Sequence, residues 1–178
     1  MRLPARFISV TLFVLLLSSN LAAQQSQNKQ SLCEQNPKYR QFDFWVGEWD
    51  VEVVGAKPGD VKPRSSIQKL VHGCVILENW MPPNGNEGKS FNIFNPNTGK
   101  WEQLWMGANG LPIHFYGGVS NGSMHYTSEF TDPKGAKQRG RMTYTPLGPD
   151  RVRQLWESSS DGGKTWTVAF DGTYVRRK

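Results

Sequence analysis

Punctuation constrains this chain more than any other feature. From about residue 48 to 175, short stretches of alternating apolar and polar residues are cut by clusters of Gly, Pro, Asn and Asp. The breaks fall at Pro58-Gly59-Asp60, His72-Gly73, Pro82-Pro83-Asn84-Gly85, Asn95 to Gly99, Asn109-Gly110, Asn121-Gly122, Asp132 to Gly135, Pro146 to Asp150 and Asp161-Gly162-Gly163. A period of two bounded by turn residues is the signature of half-buried strands. It predicts strands over 48–55, 64–71, 74–81, 89–95, 100–106, 112–119, 123–130, 138–145, 151–158 and 165–175. Consecutive strands with hairpin-length connections form a meander, and a meander loses its exposed edges by closing on itself. The expected fold is therefore all-β, an up-and-down antiparallel β-barrel of about 8–10 strands. It spans 41–178, with a short helical turn inside 32–46 that Asn36-Pro37 would start. The 18 glycines and 11 prolines fall in turns, not in a linker, so one domain is expected.

The segment before the barrel reads as an export signal. Arg2 and Arg6 form a positive n-region, Phe7 to Leu17 an apolar h-region, and Ser18 to Ala23 a stretch of small and polar residues suited to cleavage. The apolar run is shorter than the roughly 20 residues that span a bilayer. Residues 1–23 are thus expected to be a signal peptide cleaved after Ala23, and 24–40 an N-terminal lead-in. The expected address is secreted or periplasmic, with no membrane attachment after cleavage. In an oxidising compartment the pair Cys33 and Cys74 is expected to form a disulfide. The net charge of +6 is modest and spread along the chain apart from Arg176-Arg177-Lys178. That pattern keeps a protein soluble and gives no support to nucleic-acid binding.

Two segments carry motif resemblances. In Phe42 to Val51, Gly47 and Trp49 match the Gly-x-Trp signature at the first strand of lipocalins and related calycin barrels. The resemblance implies a structural role, with Trp49 closing one barrel end and an arginine from a late strand packing across it. Arg176, Arg177 and Arg153 are the candidates. Ser159 to Trp166 resembles an Asp-box hairpin, which implies that Asp161 bonds the turn backbone while Trp166 packs beneath. Phe42 to Val51, Gly73 to Trp80, Gly99 to Trp105 and Val152 to Tyr174 together look like a group of bacterial secreted proteins regarded as lipocalin-like or nitrobindin-like. Nitrobindin-type barrels bind haem through a histidine. His72, His114 and His125 do not fall on that motif, so no haem or other cofactor is expected.

Strand parity points to a site. Glu78 shares a face with Trp80, Gln103 with Trp105 and Gln154 with Trp156, while Ser90 and Asn92 form a fourth polar pair. A lumen walled by Trp80, Trp105 and Trp156, with Glu78, Asn92, Gln103 and Gln154 between them, has the composition of a small-molecule pocket. These seven residues are the expected ligand site, and the partner a small, partly apolar molecule. Two other arrangements satisfy the same pattern: a polar core bonded only to itself, or an exposed aromatic strip suited to sugars or a protein surface. A further alternative is a hydrolase or isomerase in which Glu78 works with His114 or His125. No catalytic nucleophile motif is present, and the histidine spacing does not support a metal site.

Overall fold

The computed structural model describes residues 31–178, so the expected signal peptide (1–23) and the first part of the expected lead-in (24–30) lie outside the described residues. Ten strands form a closed barrel in which each pairs antiparallel with its sequence neighbours and β1 closes on β10. They are β1 (Gly47–Val53), β2 (Arg64–Leu70), β3 (Val75–Met81), β4 (Gly88–Asn95), β5 (Lys100–Gly107), β6 (Pro112–Ser120), β7 (Ser123–Thr131), β8 (Lys137–Pro146), β9 (Arg151–Ser159) and β10 (Thr167–Arg176). Every strand predicted from the alternation is present, with ends displaced by at most two residues.

Before the barrel lie a one-turn helix, α1 (Leu32–Gln35), and two 3₁₀ turns, Pro37–Arg40 and Asp43–Trp45. Ser31 and Glu34 form a reciprocal capping box on α1. Asn36 then accepts from the backbone N–H of Lys38, with Pro37 in the first turn, as the Asn-Pro pair predicted. Cys33 and Cys74 are bridged, with their Cα atoms 5.1 Å apart. The bridge ties this segment to the β2–β3 turn, where Ser31 Oγ also donates to the carbonyl oxygen of His72 at 2.9 Å.

The segment plugs one end of the barrel. Phe42 and Trp45 are fully buried and stacked with ring centroids 4.9 Å apart. Trp45 packs on Tyr144 and Tyr174, and Phe42 on Trp101, Tyr126 and Tyr144. Of the three candidate arginines, register selects Arg176. It pairs directly with Trp49 across β1–β10, and its guanidinium lies 4.3 Å from the indole centroid. Arg176 also donates to the carbonyl oxygen of Val46 and ion-pairs with Asp150. Gly47 has φ +145°, and a Cβ there would lie 2.2 Å from that guanidinium, so glycine is required at the crossing.

Because odd strands start and even strands end at the plug, the opposite end gathers the β1–β2, β3–β4, β5–β6, β7–β8 and β9–β10 connections. The β9–β10 connection is the Asp-box-like hairpin. Asp161 accepts from the backbone N–H of Lys164 and Thr165 and from the hydroxyls of Thr165 and Ser159. These bonds hold its carboxyl below the usual carboxylate range. Trp166 donates to the carbonyl oxygen of Gly163 and lies under the Arg141 guanidinium. Asp161 is a turn residue, as expected.

Candidate ligand pocket

Inward parity builds the interior in tiers. Nearest the plug are Trp49, Ile76, Phe94, Trp101, Met124 and Val152, all buried. Two residues further along β3, β5 and β9 the inward side chains are polar (Glu78, Gln103, Gln154), and two beyond those they are tryptophans (Trp80, Trp105, Trp156). That change of character defines a half-enclosed cavity of about 160 Å³. Trp80, Trp105, Trp156 and Phe170 line it toward the open end, Glu78, Gln103, Gln154, Tyr144 and Tyr174 line it toward the plug, and Phe115 lines it opposite Gln103.

Six of the seven residues expected to form the site therefore surround one cavity. Asn92 does not line it. Its short amide is fully buried, donating to the Ile76 carbonyl oxygen (3.2 Å) and to Ser90 Oγ (3.0 Å), while the longer Gln103 side chain donates to Asn92 Oδ1 at 2.8 Å. Asn92 thus supports Gln103. The lumen and the mutually bonded polar core, separate alternatives in the sequence, are here two layers of one site.

Close packing around glycines seats two of the aromatic walls. A Cβ on Gly88 would lie 2.3 Å from the Trp105 ring, so the indole lies directly over bare backbone. A Cβ on Gly140 would lie 2.3 Å from Ser128 Oγ and 3.2 Å from Trp156 Nε1. Those two buried polar atoms have no hydrogen-bond partner among the described residues. Trp80 meets Phe170 edge to face at 5.6 Å. A bulge between Val168 and Phe170 sets the phase of β10 at this point and brings Ala169 to the cavity as well.

Among the described residues Glu78 is the one carboxylate lining the cavity, and it is 3% exposed. Ser90 Oγ donates to it at 2.9 Å and Ser65 Oγ at 3.2 Å. Tyr174 Oη sits 3.2 Å from the same carboxyl and 2.6 Å from Gln154 Oε1. The phenol has one proton, and the shorter contact to Gln154 claims it. Its oxygen can then accept from a protonated Glu78. Burial pushes the Glu78 pKa up to about 7, and the hydroxyl bonds only partly offset that. Burial also raises the pKa of the Tyr126, Tyr144 and Tyr174 phenols, which stay neutral.

The histidines lie elsewhere. His114 and His125 are exposed on β6 and β7, where their inward neighbours are Ile113, Phe115, Met124 and Tyr126. Their strand partners are Leu104 and Gly118, so they do not pair with each other. His125 Nδ1 instead approaches Thr143 Oγ1 at 3.3 Å. The acid–base pair of Glu78 with a histidine is thereby corrected, because the barrel wall separates them. The exposed strip of tryptophans is corrected too. Trp45, Trp49 and Trp101 are fully buried, and Trp80, Trp105 and Trp156 share the cavity.

The sequence reading missed Tyr144, Tyr174, Met142, Phe115, Ala169 and Phe170. The signal for the tyrosines was present, since 142 and 144, and 172 and 174, continue the parity of their strands. No protein-family model matches the chain, and comparison with curated proteins finds no match. The reading of function therefore rests on the geometry.

Proposed function

We propose that the protein binds a small, partly apolar molecule in its lumen. The observation that carries this is the composition of the cavity, with three tryptophans around an opening and Glu78, Gln103 and Gln154 deeper inside. An apolar cavity of about 150 Å³ takes benzene. The volume here, about 160 Å³, suits one ring with a short substituent. Trp80, Trp105 and Trp156 provide flat apolar contact, and the two amides and the carboxyl orient a polar end. The Cys33–Cys74 bridge supports the further reading that the chain works outside the cytoplasm, as a leader over residues 1–23 would require.

A thermal-shift and tryptophan-fluorescence screen with one-ring compounds tests the binding. A ligand should raise Tm and change the emission of the lumen indoles, and Gln103→Ala should weaken the affinity read from both about tenfold. Unchanged responses in Gln103→Ala and Trp105→Ala would refute the assignment.

A further inference from the structure

Among the described residues the cavity is lined by aromatic rings, two amides and a single carboxyl, and by no lysine, arginine or histidine. A purely apolar ligand would have no use for Glu78, and an anionic one would meet like charge wherever Glu78 is ionised. We propose, building on the lumen-binding reading, that the ligand class is a one-ring organic cation, a primary ammonium carried on an aromatic or cyclic body.

Three features support this class. First, Trp80, Trp105, Trp156, Phe115 and Phe170 surround a space of one ring. Aromatic faces attract cations through their quadrupoles, most strongly when water is excluded. Second, Glu78 is held in place before any ligand arrives. The Ser65 hydroxyl on β2 and the Ser90 hydroxyl on β4 donate to it, and the Tyr174 hydroxyl on β10 packs against it. A carboxylate has about four acceptor sites, so with two taken by the serines it can still accept from a ligand N–H. Third, the other polar side-chain groups lining the cavity among the described residues, the two amides, the Tyr144 and Tyr174 hydroxyls and the tryptophan N–H groups, are all neutral. Among the described residues no second charged group there competes for the cation.

Folding has already taken Glu78 out of water, so an entering ammonium gains a desolvated partner. It also displaces the proton that Glu78 otherwise keeps near neutrality. The groups facing Glu78 from neighbouring strands are Ser65, Ser90, Gln154, Tyr144 and Tyr174, and none of them changes charge between pH 5 and 8. Affinity for a cation should therefore rise with pH as Glu78 ionises. With half-ionisation at about pH 7, it increases about tenfold from pH 6 to pH 8.

Calorimetric titration of the protein with benzylamine, benzyl alcohol, toluene and benzoate tests this, since the four share a ring and differ in charge. Benzylamine should bind at least tenfold more tightly than benzyl alcohol at pH 8. It should lose that advantage in Glu78→Gln, and its affinity in the unsubstituted protein should rise with pH. Benzyl alcohol or toluene binding as tightly as benzylamine, or a pH-independent benzylamine affinity, would overturn the cation assignment and leave the lumen reading standing. Failure of all four to bind would count against the lumen reading and remove this inference with it. The pH series needs no variant, so a folding defect in Glu78→Gln does not blunt the test.

Discussion

Replacing Glu78 with glutamine should change how stability depends on pH, and the size of the change follows from the structure. The carboxyl keeps its proton to about pH 7 in the fold and gives it up near 4.5 when unfolded. Between those values the native state holds one more proton than the unfolded state, so raising the pH favours unfolding. The stabilising contribution is complete below the unfolded pKa, declines through the interval and is gone above about pH 7. Over a span of 4.5 to about 7, the loss is about 3 kcal/mol. In a domain of this size that corresponds to a fall in Tm of about 10 °C. Glutamine is nearly isosteric and cannot ionise, so it removes the slope. The carboxylates with lowered pKa, among them Glu52, Asp132, Glu157, Asp161 and Asp171, titrate below this window. Urea unfolding of both proteins at pH 5, 6, 7 and 8, with the disulfide intact, measures the difference. The two should be closest in stability at pH 5 and diverge toward pH 8 in favour of the variant. Parallel curves would show that Glu78 does not titrate in this window, and the reasoning would fail.

Two further outcomes follow from the packing. Replacing both Cys33 and Cys74 with serine opens a loop spanning 41 residues and should lower stability by up to about 4 kcal/mol in urea melts. It should also make 31–46 the first segment cut in limited proteolysis. Gly88→Ala places a methyl 2.3 Å from the Trp105 ring and should displace that indole, costing about 1–3 kcal/mol. Altered tryptophan emission together with lost ligand response would report it.

The strands were legible because each is a local pattern with its own turn signals, and a closed meander asks little more of the chain than neighbour-to-neighbour pairing. Which arginine covers Trp49 was not legible, since Arg176 and Arg177 differ by one residue and only the β1–β10 register separates them. Register also decides the histidines. Once Gln103 pairs with Phe115, His114 must point outward, and no periodicity within β6 alone states this. The polar tier was visible as glutamate and glutamines beside tryptophans. The tyrosines that complete it keep the parity of their strands but sit beside no tryptophan of their own strand, while Phe170 was hidden by the bulge in β10 that breaks the count before it. Asn92 went astray for a different reason: parity gives the side a residue faces, not whether its side chain is long enough to reach the open space.

The plug has a consequence for how the molecule can be held. Ser31 bonds the β2–β3 turn, and the Arg177 N–H bonds the Glu48 carbonyl oxygen beside it. Both ends of the described chain thus emerge at the same pole, opposite the cavity's mouth. Anchoring the protein to a sensor surface or fusing it to a carrier through either end would turn the opening toward solution, so a tether need not obstruct entry.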